Sequence, residues 1–133
     1  MTIERAELER MAADYAAAWS SKSSQAVASF FAEDGQIVIN RGPVLKGRPA
    51  LVEMAEGFYA AYPDLIVHCD DVRIAGTHAL FAWTFEGHHA ESRHPVKVSG
   101  WEEWELDADL KVKSSCGWYD AADEERQISG GTS

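Results

Sequence analysis

Tyr62-Pro63-Asp64-Leu65-Ile66-Val67-His68-Cys69 is where the chain changes its periodicity. Upstream, Leu51, Met54, Ala55, Phe58 and Tyr62 recur at steps of three and four, which stacks them on one face of a helix. Gly47-Arg48-Pro49 opens that helix, with proline in the first turn, where a missing N–H costs little. Pro63-Asp64 stops it. From Leu65 onward the apolar period falls to about two, the repeat of a strand. Helices first and strands after indicate an α+β fold in which helices cover one face of a curved sheet.

Toward the amino end, residues 3–20 read as a further helix, because Leu8, Met11, Tyr15 and Trp19 share one face. Ser23 or Ser24 can cap a second, short helix carrying Val27, Phe30 and Phe31, which Glu33-Asp34-Gly35 is expected to end. Gln36 to Asn40 is strand-like, and Arg41 to Gly47 is a turn-rich connection. Toward the carboxyl end, strands are expected at 65–74, 78–88, 95–106 and 110–119, with Asp70-Asp71 suggesting a bulge. Short links between them predict an antiparallel meander. One domain over residues 1–128 and a frayed tail, 129–133, complete the expected organisation.

The bulk properties narrow the partners. The 133 residues suit one core, with 46% hydrophobic and 26% charged side chains. Twenty-two acidic residues against 12 basic ones give a net charge of −10, with no basic stripe to engage phosphates or an anionic membrane. No apolar run approaches the roughly 20 residues of a bilayer span, and the amino end lacks the apolar core of a secretory signal. A cytoplasmic protein is expected, partnered by neither nucleic acid nor membrane. Cys69 and Cys116 show neither metal nor redox-pair spacing and are expected to be reduced.

The strand expected over 95–106 holds the leading candidate. Its even positions, Val96, Val98, Gly100, Glu102, Trp104 and Leu106, form an apolar face interrupted by one acid. A carboxylate on such a face is paired, protonated, or placed to meet a ligand. Two readings stand for Glu102: a cavity-facing acid, or a structurally paired or solvated one. Tyr15 shares a buried helical face, so its hydroxyl seeks a partner there; a tyrosine and a neutral carboxylic acid converging on one point would make an oxyanion hole.

His88, His89, Glu91 and His94 crowd one hairpin without a recognised ligand spacing, so no metal site is expected. Trp83, Trp101, Trp104 and Trp118 either fill the core or line an apolar ligand cavity. In the second reading, Trp19, Ile39 and Phe58 from the first half of the chain join Trp83, Trp104, Cys116 and Trp118 around the ligand. No phosphate-cradling loop, nucleophile elbow or dinucleotide fingerprint is present, and no cofactor is expected.

Several segments together resemble the SnoaL-like branch of the nuclear-transport-factor-2-like superfamily. They are Phe31-Ala32-Glu33-Asp34-Gly35, Gly47-Arg48-Pro49-Ala50-Leu51 and Tyr62-Pro63-Asp64-Leu65, then Trp83-Thr84-Phe85-Glu86-Gly87-His88-His89 and Ser99-Gly100-Trp101-Glu102-Glu103-Trp104, and finally Gly117-Trp118-Tyr119-Asp120. The resemblance implies a conical barrel of three helices and a bent sheet around an apolar pocket, commonly a homodimer. It also implies isomerase, cyclase, epoxide-hydrolase or purely binding roles. Against the steroid isomerases of that superfamily, Tyr15 falls at the oxyanion-hole tyrosine and Glu102 at the protonated aspartate. Their base falls on Ile39, which cannot take a proton, and His89 is the remaining candidate base. The expectation is a cofactor-free cyclase or isomerase acting on an apolar carbonyl compound, or else a small-molecule binding module or a dimeric adaptor.

Overall fold

The computed structural model describes residues 3–130. It opens with α1 (Arg5–Ser20), which buries Leu8, Met11, Ala12, Tyr15, Ala16 and Trp19 along one face. Lys22, at φ 62°, turns the chain out of that helix. Helix α2 (Ser24–Ala28) follows, and the Ser23 hydroxyl accepts from the Ala26 N–H at 3.1 Å, which satisfies one of the donors exposed at a helix start.

The second helix is shorter than its sequence implies. Phe31 begins strand β1 (Phe31–Ile39), and Glu33-Asp34-Gly35, expected to end a helix, lies inside that strand. The glycine serves there as a close-approach point. A Cβ on Gly35 would stand 2.7 Å from the Val112 carbonyl oxygen, and the pairing register shifts between Phe31 and Gln36. Helix-stop chemistry and bulge chemistry use the same residues, so the local sequence cannot separate them.

A two-residue strand β2 (Leu45–Lys46) pairs antiparallel with β1. Gly47, at φ 90°, then turns into α3 (Arg48–Ala61), with proline in its first turn. Leu51 and Ala55 are buried, whereas Met54 and Phe58 are half-buried and line a cavity. The remaining strands are β3 (Ile66–Ala75), β4 (His78–His88), β5 (Pro95–Leu106) and β6 (Val112–Tyr119). They form the expected antiparallel meander, with a register shift at Asp70.

One six-stranded sheet results, in the order β2-β1-β6-β5-β4-β3, with β1 and β6 parallel. The fold is therefore mixed α+β, with α1 lying against β3 and α3 against β1 and β2. A fourth helix, α4 (Ala121–Ile128), extends the expected set of three. The Asp120 carboxylate caps it by accepting from the Asp123 N–H at 3.0 Å. No α4 residue is fully buried; Ile128 packs against the core, and polar contacts hold the rest of the helix. Gln127 bonds both the N–H and the carbonyl of Lys97, and Glu124 accepts from the Tyr62 hydroxyl at 2.5 Å. Of the expected tail, Ser129 and Gly130 close α4, and residues 131–133 lie outside the described residues.

The sheet's inner face packs on the helices, and its outer face is mixed. Leu80, Ala82, Trp101 and Trp118 lie on that outer face, with Trp101 opposite both Ala82 and Trp118 and 41% exposed. No helix among the described residues is long and apolar enough to cross a membrane.

Candidate active site

Strand β5 alternates as its sequence indicates, so Glu102 enters the interior between Gly100 and Trp104. Gly100 has a specific function in this strand. A Cβ there would meet the Trp118 backbone carbonyl and would stand 2.7 Å from the Trp83 indole, so only glycine lets that indole lie across the strand. Glu102 is 7% exposed and sits at the meeting point of three side-chain donors. The Trp104 indole N–H donates to Oε1 at 2.9 Å, and the Ser115 hydroxyl donates to the same oxygen at 2.8 Å. The Tyr15 hydroxyl stands 3.2 Å from Oε2 and 3.4 Å from Oε1.

Burial pushes the Glu102 carboxyl above its ordinary range, and the three hydrogen bonds hold back part of that rise by favouring the charged form. Tyr15 is fully buried, with its ring edge-on to Phe81 and Trp104, each at 5.4 Å. Burial first, and the neighbouring Glu102 charge second, raise its phenol well above the usual value. Tyr15 therefore stays protonated and acts as a donor toward Glu102. Phe81 stacks on Trp104 at 5.1 Å, which fixes the indole that points at Oε1.

Glu102 forms part of the wall of an apolar cavity of about 70 Å³. That is room for several solvent molecules. Trp19 comes from α1, Ile37 and Ile39 from β1, and Met54 and Phe58 from α3. Phe81, Trp83 and Phe85 of β4 form another wall, with Gly117 and Tyr119 of β6 beside Glu102. Among these lining residues Glu102 is the one acid, and none is Lys, Arg or His. Burial, with the Glu124 carboxylate beside it, pushes the Tyr119 phenol up to about 12.

Of the residues singled out in sequence, Tyr15 and Glu102 meet, and Trp19, Ile39, Phe58 and Trp83 line the cavity. Trp104 stands behind the wall as a donor to Glu102 and is not part of the lining. Cys116 and Trp118 require correction, because both lie on the opposite face of the sheet. The reason is a register shift. Leu106 pairs with Val112 but Glu105 pairs with Ser114, so an extra residue reverses the inward parity along β6. Ser115, Gly117 and Tyr119 face inward in their place, with Glu102 directly opposite Gly117. Alternation counted from Val112 misses all three. The two adjacent serines, Ser114 and Ser115, give no hydrophobic clue to the slip.

His89 also departs from expectation. Its ring packs edge-on to Tyr62 at 5.7 Å, its Nδ1 accepts from the Ser92 N–H at 3.3 Å, and it does not line the cavity. The neighbouring histidines have separate partners, His88 with Asp64 and His94 with the Ile128 carbonyl. Among the described residues no group of three or more His, Cys, Asp or Glu side chains is placed to hold a metal ion.

Comparison with solved structures places this architecture. A hypothetical protein of ketosteroid isomerase-like fold from Catenulispora acidiphila, solved with trimethylamine, superposes with a TM-score of 0.83 at 22% identity, over 92% of this chain and 93% of that one. A putative polyketide cyclase from Xanthomonas campestris pv. campestris gives 0.83 at 17% identity, over 93% and 98%. AclR, a putative hydroxylase from Streptomyces galilaeus, gives 0.81 at 15% identity, over 97% and 100%. Such identities establish the fold alone. No curated protein sequence matches the chain. A family model described as the SnoaL-like domain matches residues 12–114, most of the chain, and the protein belongs to the SnoaL-like domain family.

Proposed function

We propose that the protein is a small-molecule enzyme of the cyclase or isomerase type, acting on an apolar carbonyl compound held in the cavity. One observation carries this reading: a buried carboxyl with a raised pKa is the single acid in an otherwise apolar wall. A neutral acid donates a hydrogen bond to a carbonyl oxygen, and the stabilisation grows as charge develops on that oxygen. Glu102 is the donor, and Tyr15 is its partner, acting through Glu102 because it does not itself reach the cavity. Ile39 is apolar and His89 stands elsewhere, so neither supplies a base. In ring closure, Glu102 can serve twice. Its proton goes to the carbonyl oxygen, and the resulting carboxylate takes the proton released by the attacking group. The structural likeness to a putative polyketide cyclase supports this class without naming a substrate.

The absence of a second base from the lining favours one alternative, a binding module in which Glu102 orients a ligand without turning it over. Two further elements belong to the proposal. The chain pairs with a second copy through the outer sheet face around Trp101, and its two unpaired thiols, Cys69 and Cys116, fit a reducing cytoplasmic setting. Native mass spectrometry of freshly purified protein tests the ligand reading. An apolar compound released from wild type but not from Glu102→Leu supports it, and a phosphorylated or multiply charged compound contradicts it.

A further inference from the structure

Two hydrogen-bond partners converge on one oxygen of Glu102, and one of them has a fixed sense. The indole N–H of Trp104 can only donate, and Ser115 brings a hydroxyl to the same Oε1, at 2.9 and 2.8 Å. Among the described residues Oε2 has one hydrogen-bond partner, the Tyr15 hydroxyl, at 3.2 Å, and that hydroxyl stands 3.4 Å from Oε1. Among the described residues no charged side chain adds to this set. Tyr15 is the titratable group facing Glu102 from α1, β4 contributes the Phe81 ring, and β6 contributes Ser115 and Gly117. A carbonyl oxygen is a far better acceptor than an acid hydroxyl, so a proton placed on Oε1 would weaken the short Trp104 bond and force the Ser115 hydroxyl to reverse and accept, whereas one on Oε2 weakens only the longer contact from Tyr15.

We propose that Ser115 and Trp104 are positioning residues that make Oε1 the carbonyl end of Glu102 and Oε2 the end that offers its proton to a bound ligand. The inference rests on the reading of Glu102 as the cavity's hydrogen-bond donor, and it assigns that function to one atom. It gives Ser115 a specific task. Fully inside the sheet, Ser115 stands opposite Trp104 in the β5–β6 pairing, so both donors approach from one side of the carboxyl. Gly117, opposite Glu102 itself, carries no side chain to compete for the other side.

Infrared difference spectroscopy against Glu102→Gln isolates the C=O stretch of protonated Glu102 in the ligand-free protein. Losing a donor to the carbonyl oxygen raises that frequency, and losing a donor to the hydroxyl oxygen leaves it nearly unchanged. The expected result is an upward shift in Ser115→Ala, restored toward wild type in Ser115→Thr, with little change in Tyr15→Phe. Ser114→Ala, on the outer face, serves as control. Because Trp104 is fully buried, Ser115→Ala is the primary variant and Trp104→Phe the second. A band that moves with Tyr15→Phe and not with Ser115→Ala overturns the inference, as does one that moves with neither. A Ser115-dependent shift in a protein that binds no small cyclic ketone upholds the assignment of the two oxygens and contradicts the proposed function.

Discussion

The Tyr15 hydroxyl lies 3.2 Å from Oε2 of Glu102, a contact between residues 87 positions apart that joins the first helix to the fifth strand. Both groups are buried, and both have pKa values raised chiefly by burial. The consequence is a carboxyl with incentive to hold its proton, set in the wall of an apolar space. Each part of that arrangement can be tested separately.

Glu102→Gln is expected to keep the fold and much of the affinity for a small cyclic ketone. The amide oxygen can accept from Trp104 and Ser115, while the amide nitrogen donates in place of Oε2. Glu102→Leu removes the acceptor and leaves three buried donors unpartnered. Each such group costs about 1–3 kcal/mol, so this variant is expected to melt well below Glu102→Gln and to lose ketone binding. Calorimetric melting and titration calorimetry on the two variants read both effects.

The pH dependence of stability has a definite sign at this site. Glu102 has a folded pKa raised above its unfolded value, so the native state binds the extra proton. Its contribution is fully present below the unfolded pKa and is lost as pH rises through the unfolded and then the folded value. Asp64, lowered by its bonds to His88, works in the opposite sense, but that pair is exposed and screened. Subtracting the Glu102→Gln stability curve cancels the Asp64 contribution. The difference, wild type minus variant, should fall with rising pH above the ordinary carboxyl range. A flat difference contradicts the account, and urea titrations at stepped pH measure it.

Two glycines are expected to respond in opposite ways to alanine. At Gly100 the new methyl collides with the Trp118 backbone and the Trp83 indole, and overpacking of this kind costs about 1–3 kcal/mol or more. At Gly117 the nearest atoms are 3.8 Å away or further, so Gly117→Ala should fold normally. It should nevertheless weaken ligand binding, because its methyl enters the cavity beside Glu102. Denaturation midpoints together with the affinity for a small cyclic ketone distinguish the two.

The outer sheet face carries the prediction of self-association. Trp101 is 41% exposed with Trp118 and Ala82 as its cross-strand neighbours. Sedimentation at micromolar concentration should give twice the 14.7 kDa chain mass, and Trp101→Glu should shift it toward the single chain. A monomeric wild type removes the claim.

The fold was legible in the sequence because its elements follow their own periods. The stripe Leu8–Met11–Tyr15–Trp19, the stop at Pro63-Asp64 and the even face of β5 each reflect local patterning, and the structure keeps all three. Pairing register was less accessible. One extra residue between Val112 and Ser115 inverts the faces of β6, exchanging Cys116 and Trp118 for Ser115 and Gly117. Nothing local marks that slip, since it depends on how β6 meets β5. Helix α4 escaped for a related reason. It buries no residue fully, so it has no apolar stripe to read, and its polar contacts to Lys97 and Tyr62 are long-range. His89 looked like a base because it is a histidine in a suggestive loop, and only tertiary structure sets it against Tyr62, away from the cavity lining.

The central claim, that neutral Glu102 donates a hydrogen bond inside the cavity, is tested most directly by the affinity of a small cyclic ketone, which can only accept, across the pH range in which Glu102 titrates. The account predicts an affinity that is constant while Glu102 is protonated and falls as it ionises, and an affinity in Glu102→Gln that shows no such fall. Affinity that rises as Glu102 loses its proton, or a wild-type curve that parallels the Gln variant, would contradict it.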